Sequence, residues 1–72
     1  MITRDHLQET GEALFGPRWQ SELASALGVN VRTVQRWISG KNPLPDWLAK
    51  DLAELVTEHR DRLDEIAGRI AT

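Results

Sequence analysis

Residues 19–42 read W-Q-S-E-L-A-S-A-L-G-V-N-V-R-T-V-Q-R-W-I-S-G-K-N. They restrict the chain more than any other stretch does. Two short apolar patterns of helical period meet at Leu27-Gly28-Val29. The first carries Leu23, Ala24 and Leu27, and the second carries Val31, Val34, Trp37 and Ile38. A sharp turn between two helices needs one residue with φ > 0, which glycine reaches at least cost, and Gly28 stands at the junction. Ala24 lies one turn earlier, where a small side chain lets a second helix cross closely. This is the sequence logic of a helix-turn-helix.

On Gln20, Leu23, Ala24, Leu27, Gly28, Val29, Val34 and Trp37, followed by Ser39-Gly40-Lys41, the stretch resembles the Cro/repressor-type (XRE-like, lambda-repressor-like) helix-turn-helix family. The resemblance covers about a third of the chain closely; the flanking helices match only in rough length and polarity. It implies an all-α, compact helix-turn-helix domain of about four helices, the last one long and dimer-forming. Residues 1–72 then form one domain, with the motif in 17–40 and a dimerising helix in 45–70. Trp19 stands where the family often has a small polar residue, and Val31 replaces another polar one.

Around this motif the chain reads as helices with clear stops. Residues 3–15 predict a first helix with Thr3 as N-cap, Asp5 in the first turn and a stripe of Leu7, Leu14 and Phe15. Gly11 falls on that stripe, and its cost there implies close approach of another helix. Gly16-Pro17 ends it. The second helix is expected from Pro17 or Arg18 to Leu27, with Trp19, Leu23, Ala26 and Leu27 facing inward and Trp19 plugging the core. The third runs from its N-cap Asn30 to Ser39, with Gly40 following. At about 100° per residue, Arg32, Gln35, Arg36 and Ser39 share one face of it. Val34 and Trp37 lie opposite, Val31 and Ile38 on one flank, Thr33 on the other. Residues 41–45 form a stiff loop with two prolines.

From Pro45 or Asp46 to about Ile70 no breaker intervenes until Gly68. Trp47, Leu48, Leu52, Leu55, Val56, Leu63, Ile66 and Ile70 mark an apolar seam. Within it, Leu48, Leu52, Leu55, His59, Leu63, Ile66 and Ile70 are spaced 4, 3, 4, 4, 3 and 4, near a heptad rhythm with His59 as its polar member. Such a helix reaches about 37 Å, more than a small domain needs. Its second half has no partner left in the chain. Leu55, His59, Leu63, Ile66 and Ile70 are therefore expected at a dimer interface. Arg60, Arg62, Glu58, Asp61 and Glu65 read as a solvated outer face, and His6 as a surface residue.

Composition narrows the function. A chain of 72 residues buries a small core, and with no cysteine it lacks disulfides and thiolate metal sites, which leaves self-association as its reinforcement. The net charge of −2 argues against nucleic acid until it is mapped. Residues 17–45 hold Arg18, Arg32, Arg36 and Lys41 against Glu22 alone, whereas both flanking segments are net acidic. An acidic remainder would turn the basic segment toward DNA. The base-reading candidates are Arg32 and Arg36 with Gln35 beside them, side chains that pair bidentately with guanine and adenine edges, and Val31 against a thymine methyl. By resemblance, phosphate contacts fall to Gln20 and its backbone amide, Arg18, Lys41 and Asn42, with Thr33 and Ser39 beside them.

The expected function is a sequence-specific, double-stranded DNA-binding transcriptional regulator, a repressor or autoregulator binding a pseudo-palindromic operator as a homodimer. The alternative is an antitoxin-like interaction module whose last helix grips a protein partner. No Ser/His/Asp or Cys/His arrangement and no Gly-rich phosphate loop is present, and Asp61, Asp64 and Glu65 spread over an exposed helix face. No enzyme, catalytic residue, metal site or cofactor is therefore expected. No apolar run approaches the ~18 residues of a membrane span and no signal-peptide pattern is seen, so the expected location is cytoplasmic.

Overall fold

The computed structural model describes residues 2–71, and every regular element among them is helical. Helix α1 spans Arg4–Phe15, a 3₁₀ turn spans Gly16–Arg18, α2 spans Trp19–Leu27, α3 Val31–Ser39 and α4 Leu48–Ala71. The last helix is long: its 24 residues reach about 36 Å.

Each short helix is bounded by the residues that suit its ends. Thr3 caps α1 in a reciprocal box: its hydroxyl accepts from the His6 amide at 3.1 Å, and the His6 ring accepts from the Thr3 amide at 3.4 Å. His6 is exposed, as expected, and serves as half of this cap. Gly28 ends α2 in the left-handed conformation, at φ 73° and ψ 28°. The Val29 amide then reaches back to the Ala24 carbonyl at 2.9 Å. Asn30 caps α3 by accepting from the Arg32 amide at 2.8 Å.

The core is one cluster of Leu7, Trp19, Leu23, Ala24, Val34, Trp37, Leu48 and Leu52, drawn from all four helices. A close contact joins α1 to α2. The Trp19 ring lies directly against Gly11, where even a Cβ would enter its van der Waals envelope. The helix cost of Gly11 is offset by burial of the indole, at 4% exposure. Ile2, Phe15, Leu27, Val29, Val31, Ile38, Leu44 and Leu55 pack around the rim.

Three expectations are corrected. Ala26 does not face inward but is exposed. The buried arc of α2 runs through Trp19, Leu23 and Ala24, because Ala24 takes the close crossing and turns Ala26 to the outer edge. Helix α2 begins at Trp19, after the separate turn that Pro17 opens. Helix α4 begins at Leu48, since the segment around Pro43 and Pro45 stays extended and a turn closes from the Leu48 amide to the Pro45 carbonyl at 3.1 Å. Trp47 consequently leaves the α4 seam. It meets Trp37 edge-on, with ring centroids 5.9 Å apart, and remains 44% exposed.

Helix α4 divides in two. Leu48 and Leu52 are in the core, Leu55 packs at its rim, and His59 meets Phe15 edge-on at 6.5 Å. From residue 60 to 71 every position is exposed, including Leu63 at 55%, Ile66 at 41% and Ile70 at 80%. Ion pairs on this half, Arg60–Asp61 at 3.7 Å and Arg69–Glu65 at 3.8 Å, are solvated and contribute little. No helix among the described residues is long and apolar enough to cross a membrane.

Gly11→Ala should destabilise the fold by about 1–3 kcal/mol despite alanine's better helix propensity, because the added methyl collides with a ring buried in the core. Urea unfolding followed by tryptophan fluorescence measures this; an unchanged or raised midpoint would show that the ring can shift.

Candidate nucleic-acid interface

Helix α3 presents two chemically distinct faces. Val34 and Trp37 are buried in the core, at 0% and 3% exposure. Opposite them, Arg32, Gln35, Arg36 and Ser39 are exposed. Helical period alone dictates this split, and the buried face anchors the exposed one. Lys41 joins the exposed face: Arg32, Gln35, Arg36, Ser39 and Lys41 line one shallow concavity. Asn30, Val31 and Thr33 line a second concavity with Arg32, Gln35 and Arg36, at the start of the helix. No acidic side chain lines either one.

The end of α3 is tied down by three contacts. Gly40 adopts φ 83° and donates its amide to the Trp37 carbonyl. The Asn42 amide reaches the Arg36 carbonyl at 3.2 Å, which turns the following loop back along the helix. The Arg4 Nε donates to the Trp37 carbonyl at 2.9 Å across 33 residues of sequence. A cation at a helix C-terminus is favourable both as a donor to free carbonyls and against the helix dipole. Arg4 stands in the sequence beside Asp5, Glu9 and Glu12 as the one Lys or Arg of α1. No local pattern announces its contact with α3; only the packing of α1 brings it there.

The remaining candidates divide by what already occupies them. Ser39 is exposed and donates its hydroxyl proton to the Arg36 carbonyl at 3.3 Å. Val31 is half-buried and packs on the core rim, so only part of its side chain faces outward. Thr33 is half-buried on the opposite flank. Arg18 is exposed at the end of the 3₁₀ turn and Gln20 is half-buried in the first turn of α2. No side chain caps the start of α2, which follows the 3₁₀ turn directly. Arg18 and Gln20 line neither concavity on α3. Asn42 is half-buried with its backbone amide engaged, and it lines neither concavity on α3.

The expected dimer residues also separate. Leu55 and His59 are half-buried against their own chain, whereas Leu63, Ile66 and Ile70 are exposed. Beside them runs a groove between α1 and α4, with Ala13, Leu14, Val56 and Leu63 as its apolar floor. Sequence reasoning did not identify this groove, because it needs the side-by-side placement of two helices far apart in the chain.

Arg4→Ala should lower stability by about 1 kcal/mol, the loss of one charge-assisted bond to a carbonyl that retains its Gly40 partner. It should also speed amide exchange in the last turn of α3. Exchange unchanged there, with stability unchanged, would show that Arg4 does not hold the helix end.

Comparison with protein-family models, with curated proteins and with solved structures finds no match to this chain.

Proposed function

We propose that this chain is a sequence-specific, double-stranded DNA-binding regulator whose α2 and α3 act as a helix-turn-helix, with α3 as the reading helix. The observation that carries this reading is the exposed face of α3: two arginines, a glutamine and the neighbouring lysine, with no acid among them. Ordinary solvated helix faces mix both signs, as α4 does with Arg60, Asp61, Glu65 and Arg69. Arg36 and Arg32 suit guanine O6 and N7, and Gln35 suits adenine N6 and N7. A major groove about 12 Å wide admits a helix of this size.

Phosphates would fix the register. Lys41 stands beside the reading face, and Arg18 with Gln20 stands at the start of α2, where the helix dipole favours an anion. Thr33 lines the concavity at the start of α3 and Asn42 follows Lys41 in the chain, and both are assigned backbone contacts. Val31 contributes a partial apolar contact to a thymine methyl. The acidic remainder of the chain, including Asp5, Glu9 and Glu12 on α1, favours the approach of DNA from the α3 side only.

A homodimer reading a pseudo-palindrome is the assembly this assignment favours, since a single nine-residue helix reads few base pairs. The uncovered half of α4 supports a partner of some kind. A second reading, an antitoxin-like module that grips a different protein, rests on the same exposed Leu63, Ile66 and Ile70. Sedimentation of the isolated chain separates them: a dimer favours the regulator acting alone, and a monomer that pairs only with another protein favours the module.

Arg36→Ala should cost about 1–3 kcal/mol in binding and relax preference at one position of each half-site. Lys41→Ala should weaken binding evenly across sequences and reduce the salt slope by about one. Fluorescence anisotropy on a panel of single-base operator variants reads both. Unchanged base preference in Arg36→Ala would overturn the base-reading assignment.

A further inference from the structure

We infer that Arg4 is a positioning residue for the reading helix: from α1 it fixes the last turn of α3, and so sets how sharply Arg36 discriminates its base. The inference rests on the reading of α3 proposed above.

Helix α3 has nine residues, Val31–Ser39. The last turn of so short a helix opens most readily, because its final carbonyls lack intrahelical partners. Arg36 stands in that turn. The first turn, which carries Arg32, is held within its own segment. The Asn30 side chain accepts from the Arg32 amide at 2.8 Å, and the Asn30 carbonyl accepts from the Thr33 amide at 2.9 Å. The last turn is held differently. The Arg36 carbonyl accepts from the Asn42 amide at 3.2 Å and from the Ser39 hydroxyl at 3.3 Å. The Trp37 carbonyl accepts from the Gly40 amide at 3.3 Å and from Arg4 Nε at 2.9 Å. Of these four bonds, that of Arg4 is the shortest, and it alone has a charged donor. It alone also comes from another helix. The other three tie the turn to residues 39–42, which move with it, whereas Arg4 ties it to the body of the fold.

Arg4 is itself well anchored. It is the first residue of α1, directly after the Thr3 cap. Three residues on, Leu7 is fully buried, and Gly11 meets the Trp19 ring. At the other end of the bond, Gly40 has no side chain to hold the guanidinium off. A Cβ there would stand 3.6–3.7 Å from Nε, Cζ and Nη2 of Arg4.

Placement separates this role from a phosphate contact. Arg4 lines a groove with Pro43, Leu44, Pro45 and Asp46, and it lines neither concavity beside Arg32, Gln35 and Arg36. The carboxylate of Asp46 in that groove disfavours a phosphate there. Arg4 therefore acts on DNA through the backbone of α3. A bidentate arginine–guanine pair needs both of its bonds aligned, and tolerates displacement of only about 0.5 Å. Loosening the last turn should blur the base read by Arg36 and spare the base read by Arg32.

Arg4→Met keeps the stem over Gly40 and removes the donor and its charge. Affinities are measured by anisotropy across the single-base operator panel, with Arg36→Ala and Arg32→Ala marking the position that each arginine reads. Arg4→Met should lower discrimination at the Arg36 position at least about threefold, and leave the Arg32 position and the salt slope unchanged. In the Arg36→Ala background it should have no further effect at that position. Partial unfolding lowers all affinities by one factor and leaves their ratios intact, so a merely stabilising role does not produce this pattern. Unchanged ratios, or equal loss at both positions, would overturn the proposal. So would even weakening with the salt slope reduced by about one, which would make Arg4 a phosphate contact. A parent chain without base preference would instead overturn the reading of α3, and this proposal with it.

Discussion

The Trp19 ring against Gly11 is the contact on which the rest of the fold depends. A chain of this size has one small core, and this indole is one of the two largest side chains in it. The missing side chain at Gly11 lets α1 and α2 approach until the ring fills the space between them. Leu7 and Leu23 close over it, and both are fully buried. With α1 fixed in this way, its first residues reach the end of α3, and Arg4 can bond the Trp37 carbonyl. The orientation of α3 is therefore set from both ends, by Asn30 and the Gly28 turn before it and by Arg4 and Gly40 after it.

This rigidity bears on the proposed role. A reading helix discriminates bases only if its side chains return to the same place at each encounter, and supporting contacts behind the helix provide that constancy. Val34 and Trp37 supply them on the buried face, and Trp37 is itself braced by Trp47. The exposed face is left to polar and cationic groups. Only Ser39 on that face bonds back into the helix.

Much of this arrangement can be read from the residues alone. Gly28, Asn30 and Gly40 fix turn and cap geometry within a few residues, and local steric rules apply to them directly. The α3 faces follow from period and chemistry. The cost of Gly11 correctly implied a close neighbour, although nothing local identified Trp19 as that neighbour. Period failed at Ala26, because one small residue, Ala24, decides which arc of α2 is buried. It failed again at Trp47, where the two prolines of the preceding loop delay the helix and redirect the ring toward Trp37. Arg4 and the groove between α1 and α4 were out of reach, since both arise from contacts between distant segments. The α4 seam was evident as a pattern, but where the core stops covering it depends on the length of α1, which ends at Phe15.

The central claim is that the acid-free face of α3 reads duplex DNA. Selection of bound sequences from random double-stranded DNA by the full chain tests it most directly. The account predicts enrichment of a pseudo-palindromic site whose half-sites lie about one helical turn, or a multiple of it, apart. Recovery of sequences no different from the starting pool, at low salt where phosphate contacts are strongest, would contradict it.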